Sequence, residues 1–268
     1  MQEKKQNCKQ ETQTGTKTMY DLTKIKNDVR KPPRICIYGG HGVGKTSLAC
    51  QADKPFLINL EDGIPDRLFG KVENVVPKDY SEFVSVLEAL YTQDHEYKTV
   101  IIDTLDKLEV LIQKKVCQEN GWADASKSPY YSAYKIMTKI WENLIVGFDL
   151  LRDKGMTVIL LAHAGVLEMR DPILPTYDYL GLRLNKKEAE NIPDWCDFVG
   201  YALIKTYTTN EGKRTLAQTA GEHVIMTHTN PAYTAKTRYE MPDEIPMEWS
   251  ALAQYIPALN SEQNIKEE

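Results

Sequence analysis

The chain has 268 residues, of which 42% are hydrophobic and 26% charged, and a net charge of −5. That length suits one α/β domain with extensions, large enough to bury a substantial core. Apolar runs such as Val158 to Ala162 are strand-sized, well short of the roughly 20 residues of a membrane helix. The five cysteines Cys8, Cys36, Cys50, Cys117 and Cys196 lack both C-x-x-C spacing and disulfide-scaffold density, so reduced, mostly buried thiols are expected.

Residues 1–34 hold nine Lys or Arg against four Asp or Glu, leaving roughly −10 for the remainder. Residues 1–32, rich in Lys, Gln and Thr and without apolar periodicity, read as a basic arm. Two uses stay open for it: a solvated disordered leader, or a contact for nucleic-acid phosphates or a neighbouring subunit. The polar start of the chain is unlike a secretory signal, which sets the expectation of a cytoplasmic protein without membrane contact.

Pro32-Pro33 marks the start of the folded domain, expected over 33–245. Arg34 to Tyr38 form a short apolar run that predicts a buried strand, followed at once by glycines and then by helix-forming residues from Lys45 to Ala52. Pro55 to Leu60 predict a second strand ending in Glu61-Asp62-Gly63. Tyr80 to Tyr91 carry helical apolar spacing, Thr99 to Ile102 predict a third strand, and helical patterning returns over 106–118 and 132–152. Thr157 to Ala162 predict a fourth strand. Strands alternating with helices imply a mainly parallel sheet flanked by helices. After Asp197 the pattern becomes β-rich, with Phe198 to Tyr207 and Thr215 to Thr229 joined by a turn at Asn210-Glu211-Gly212, which predicts a C-terminal antiparallel β extension. Residues 246–268 predict one short helix, over 248–255, and a polar tail.

The segment Gly39-Gly40-His41-Gly42-Val43-Gly44-Lys45-Thr46 matches G-x-x-x-x-G-K-[ST] in full, between a predicted strand and a predicted helix. Glycines let backbone N–H groups wrap phosphates, Lys45 reaches the β- and γ-phosphates of ATP, Thr46 ligates Mg²⁺, and Ser47 continues the phosphate-binding turn. Val100-Ile101-Ile102-Asp103 is an apolar strand capped by an acid, which makes Asp103 the second metal-side residue. Glu61, at the end of the second strand, is the candidate to orient or deprotonate the attacking water. His163 ends the fourth strand, where a polar group could sense the γ-phosphate.

The order of phosphate loop, Leu60-Glu61-Asp62-Gly63, Ile101-Ile102-Asp103-Thr104 and Leu161-Ala162-His163 resembles the AAA/RecA-like P-loop ATPase core. The likeness is to phage nucleotide-binding proteins that include the Sak-type single-strand annealing recombinases, and it covers roughly residues 33 to 245. It implies a catalytic role for Glu61 and, for His163, coupling of nucleotide state to DNA, although RecA itself has glutamine there. Ala235-Lys236-Thr237-Arg238 resembles the K-x-R finger with which RecA-like and DnaB-like ATPases reach a neighbour's γ-phosphate. The resemblance thus implies a homo-oligomer with ATP sites between subunits, single-stranded DNA as ligand, a single-strand-binding protein as a further partner, and the host cytoplasm for a phage-encoded chain.

Three stretches are candidate DNA contacts. Gly165 to Asn191 mixes Arg170, Tyr177, Tyr179, Arg183, Lys186 and Lys187 with five acids, so a DNA loop and a plain surface excursion stay level. Asn210 to Arg214 offers Lys213-Arg214. The aromatic segment Trp122 to Tyr134, with Tyr130 and Tyr131, is expected to pack rather than to stack on bases. The leading expectation is a Mg²⁺-dependent ATPase of DNA recombination or annealing; a ring helicase or translocase and a nucleotide-dependent loader of DNA replication stay open as alternatives.

Overall fold

The computed structural model describes residues 30–61, 63–211 and 214–260. The sequence makes the sheet: β1 (Arg34–Gly39), β2 (Pro55–Asn59), β4 (Thr99–Asp103) and the first half of β5 (Thr157–Met169) are almost continuously apolar. Such runs belong to parallel strands covered on both faces. Successive side chains alternate between two cores. Cys36, Tyr38, Ile58, Val100, Ile102, Val158 and Leu160 face one side, under α2 (Tyr80–Thr92), α3 (Leu105–Asn120), α4 (Ser132–Asp153) and α5 (Lys186–Trp195). Ile35, Ile37, Leu57, Ile101, Ile159 and Leu161 face the other, under α1 (Lys45–Ala49) and α6 (Trp249–Ala253). Each buried aliphatic side chain contributes about 1.5–3 kcal/mol.

The strand order is β10-β8-β7-β1-β5-β4-β2-β3. From β3 (Glu73–Val75) to β7 (Phe198–Glu211) all neighbours are parallel, and β8 (Arg214–Met226) and β10 (Glu244–Pro246) then add antiparallel strands. The expected parallel core with an antiparallel extension is therefore what forms. The helices begin and end for local reasons: the Asp79 carboxylate accepts from Glu82 N at 2.9 Å to cap α2, and Gly121 takes φ 67° to close α3.

Three features differ from the sequence expectation. β3 and β10, three residues each, are too short for the sequence pattern to predict. β5 runs past Ala162 to Met169 because Ala164 to Met169 pair antiparallel with β6 (Tyr177–Leu182). The stretch 165–191 is accordingly a hairpin followed by α5, and its strand pairing is a contact the local pattern does not announce. The short helix expected over 248–255 forms as α6, and beyond that expectation the segment contributes to the core, with Leu252 on α6 and Ile256, just before α7 (Pro257–Asn260), both fully buried. Residues 1–29 and 261–268, where the basic arm and the polar tail fall, lie outside the described residues. Among the described residues no helix is long and apolar enough to cross a membrane.

Candidate nucleotide-binding site

Parallel pairing brings the functional residues to one edge. Gly39 is in register with His163, Asn59 with Asp103, and Asp103 with Leu161, so β1, β2 and β4 end side by side, level with Leu161 to His163 of the longer β5. Ligands of open α/β sheets bind beyond these carboxyl ends. The loop that leaves β1 needs its glycines: Gly42 and Gly44 take φ 70° and 105°, a region closed to most L side chains. Gly39 is held for a different reason, because a Cβ there would overlap the carbonyl oxygen of Ala202 on β7. His223 Nδ1 lies 2.7 Å from the Val43 carbonyl oxygen and ties the loop to β8.

Lys45 is only 6% exposed, and its ammonium donates to the carbonyls of Gly39 at 3.2 Å and Gly40 at 2.9 Å. Burial pulls its pKa down, while Asp103, Glu61 and Asp106 act the other way. A buried cation resting on two neutral acceptors lacks a direct counter-ion, and a polyphosphate supplies one. Ser47 follows on α1, and a cavity of about 400 Å³ flanks the loop, lined by Gly42, Val43, Gly44, Ser47, Arg67 and His223 among others. That volume is in the range of small-ligand sites.

Thr46 Oγ1 donates to Asp103 Oδ2 at 2.6 Å. Burial pushes the Asp103 carboxyl up to about 6, with the Thr46 hydrogen bond opposing and Glu61 adding to the rise. A hydroxyl and a carboxylate oxygen this close are the hard donors a magnesium ion takes. These are the two residues that the motif spacing nominates for the metal.

Glu61 and His163 are brought together on the same edge. Glu61 N donates to Asn59 Oδ1 at 3.1 Å, Thr104 Oγ1 donates to Glu61 Oε1 at 3.1 Å, and His163 Nδ1 lies 3.5 Å from that oxygen. His163 is 3% exposed, and both its backbone N–H and its Nδ1 lie 3.1 Å from Asp106 Oδ1. Arg183, just after β6, donates to Asp106 Oδ2 at 2.8 Å. Burial alone would raise the Asp106 carboxyl, but the Arg183 and His163 hydrogen bonds bring it down to about 2. The carboxylate can only accept, so Nδ1 carries the proton. The ring of His41, from the loop, sits on that of His163 with centroids 3.8 Å apart. Asp106 and Thr104 escape a motif search because one looks like a helix-start residue and the other like its cap; the clue is that both lie within three residues after the metal-side acid.

Lys236 and Arg238 are not brought to this site. β9 (Lys236–Thr237) pairs with Phe198 and Val199, at the beginning of β7, opposite Ile35 rather than Gly39. Four strand residues separate those levels, about 13 Å. Lys236 Nζ donates to the carbonyls of Pro193 at 3.0 Å and Asp194 at 2.8 Å, and Arg238 pairs with Asp197 at 3.3 Å. Within the subunit, both cations brace the edge opposite the loop. Of the DNA candidates, Gly212 and Lys213 lie outside the described residues. The aromatic segment divides: Trp122 and Tyr134 pack against the core, whereas Tyr130 and Tyr131 are 95% and 66% exposed, which corrects the expectation that they pack.

A phosphate loop between a buried parallel strand and a helix, an acid on the second strand over, and polar groups capping the neighbouring strands define a nucleotide-binding P-loop protein of RecA-like fold. Residues 31–239 match the family model of an AAA domain, and the chain belongs to that family. Among solved structures it is similar to a KaiC-like protein from the hyperthermophilic archaeon Pyrococcus horikoshii OT3. The two share 15% identity over 81% of this chain and 85% of that one, with a TM-score of 0.41. No curated protein matches the chain.

Proposed function

We propose that this protein is a Mg²⁺-dependent ATPase that couples hydrolysis to single-stranded DNA, in recombination or single-strand annealing of the phage type. The observation that carries the coupling is the continuous polar chain from Glu61 through His163 and Asp106 to Arg183. It links the edge where a γ-phosphate would sit to the segment that leads into α5. Magnesium held by Thr46 and Asp103 would neutralise charge on the phosphate oxygens. Lys45 balances the negative charge of the transition state, and Glu61, steadied by Thr104, orients the attacking water and takes its proton. His163 presents a ring fixed by Asp106, so a change beside Glu61 moves groups that Arg183 also holds.

ATP hydrolysis by wild type, Lys45→Ala and Glu61→Gln, with and without oligo-dT, tests this. Hydrolysis should need Lys45, fall by about 10²- to 10⁴-fold in Glu61→Gln with nucleotide binding kept, and rise with DNA. Hydrolysis indifferent to DNA would leave the ATPase and remove the DNA reading. Strand annealing against unwinding separates a recombinase from a helicase or translocase, and partner recruitment without either activity marks a loader.

The shared-site oligomer is part of this reading and carries a cost. For Lys236 and Arg238 to serve a neighbour's γ-phosphate, they must leave Pro193, Asp194 and Asp197. If the finger crosses between subunits, Arg238→Ala alone loses hydrolysis and mixing it with Lys45→Ala subunits restores part of it; if it does not cross, Arg238→Ala hydrolyses ATP without any mixing.

A further inference from the structure

A cleft of about 470 Å³ opens between α4 and the start of α5, on the helical face away from the phosphate loop's own cavity. Lys135 and Lys139, one turn apart on α4, line one wall, and Lys186 and Lys187 line the other. The acids do not cancel them. Glu188 is buried and accepts the Thr138 hydroxyl at 2.7 Å, so Glu142 is the only exposed carboxylate of the lining, shared between Lys139 at 2.9 Å and Lys187 at 3.9 Å. Lys135 and Lys186 make no ion pair among the described residues. Four ammonium groups against one exposed carboxylate form a local cationic surface on a chain of net charge −5.

Aromatic rings continue this surface. Tyr134 lines the cleft, and its ring centroid is 6.2 Å from that of Tyr131, next to Tyr130. Tyr130 and Tyr131 stand 95% and 66% exposed, with φ of 51° and 54°. A left-handed backbone is strained for a tyrosine. The rings gain no core packing from it. Lysines supply sequence-independent attraction for phosphates, and exposed rings supply faces for unpaired bases. Duplex DNA has phosphates but no free base face.

We propose that this lysine-lined cleft, with Tyr130 and Tyr131 beside it, is the groove that binds single-stranded DNA. The proposal rests on the reading that the protein acts on single-stranded DNA, and adds where the strand lies and how its presence is communicated. Lys186 is three residues beyond Arg183, whose guanidinium holds Asp106 and through it His163. The intervening Asn185 donates its N–H to Glu109 on α3 at 3.0 Å. A strand pulling on Lys186 and Lys187 therefore acts on a short segment pinned at both Asp106 and Glu109.

Fluorescence anisotropy of a labelled oligo-dT of about 16 nucleotides, the upper end of common site sizes, tests this on the full chain. The variants are Tyr130→Ala with Tyr131→Ala, and Lys135→Ala with Lys186→Ala, all at exposed positions. The tyrosine pair should weaken binding about 10-fold or more, as loss of base stacking requires. The lysine pair should lower the slope of log K against log salt by about 1.4, two phosphate contacts at 0.7 each. Affinity for a fluorescent ATP analogue should not change. Wild-type affinity and salt slope retained in both variants would overturn the cleft and leave the DNA reading standing. No binding by wild type would overturn both.

Discussion

Asp106→Asn removes a charge from the centre of the polar chain without changing its shape. The carboxylate accepts three contacts, from His163 N and Nδ1 at 3.1 Å each and from Arg183 at 2.8 Å. Hydrogen bonds to a charged acceptor are worth about 1.5–3 kcal/mol, and an asparagine keeps a neutral acceptor for one of them while turning an amide against the others. Arg183 is 46% exposed, so solvent screens part of the loss. The expected destabilisation at pH 7 is about 1–2 kcal/mol. Its pH dependence has a fixed sign. The folded pKa, about 2, lies below the ordinary 3.8, so the stabilisation is present above pH 3.8 and is lost as pH falls toward 2. Urea unfolding at pH 7 and at pH 3 measures both quantities, and the gap between wild type and variant should narrow at the lower pH. ATP hydrolysis should fall while nucleotide binding is retained, because His163 loses its orientation and Lys45 does not. A variant as stable as wild type at pH 7, with unchanged hydrolysis, would refute the polar chain as a device that holds His163.

Glu109 gives a prediction of opposite sign: burial pushes its carboxyl up to about 7, with the Asn185 N–H acting the other way. Stability is therefore lost as pH rises from the ordinary 4.5 through 7, and Glu109→Gln should be more stable than wild type at pH 8, by about 1 kcal/mol after screening, with the advantage gone at pH 4.5. Thermal unfolding at the two pH values checks it, and an advantage that grows on acidification would count against it. Gly39→Ala forces a Cβ onto the Ala202 carbonyl between two packed strands, so it should cost about 1–3 kcal/mol in urea unfolding and weaken nucleotide binding with it; a neutral outcome would mean β1 and β7 can part. Removing Mg²⁺ with EDTA should lower hydrolysis to background, and Asp103→Asn should raise the Mg²⁺ concentration needed for half-maximal rate by about 10-fold or more; an unchanged Mg²⁺ requirement would move the metal away from Asp103.

Much of this molecule is legible in the chain because its information is local. The loop from Gly39 to Thr46 carries its own chemistry, since its glycines, lysine and hydroxyl act within eight consecutive residues. The apolar runs of β1, β2, β4 and β5 announce a sheet covered on both faces, and alternation with helices makes it parallel. Asp103, Glu61 and His163 were visible as polar residues closing such runs. Tertiary structure decided what depends on partners distant in sequence. Asp106 and Arg183, 77 residues apart, meet because the antiparallel pairing of Ala164 with Leu182 carries Arg183 back over His163. The same pairing turns the 165–191 stretch into a hairpin and a helix. Pairing of Lys236 and Thr237 with the beginning of β7 sets the basic K-x-R segment at the edge opposite the loop, a position that two charges at spacing two do not encode. Exposure was hidden as well: Trp122 and Tyr131 are both aromatic residues in one loop, yet one packs on the core and the other faces solvent, because the backbone path rather than the residue type aims the ring.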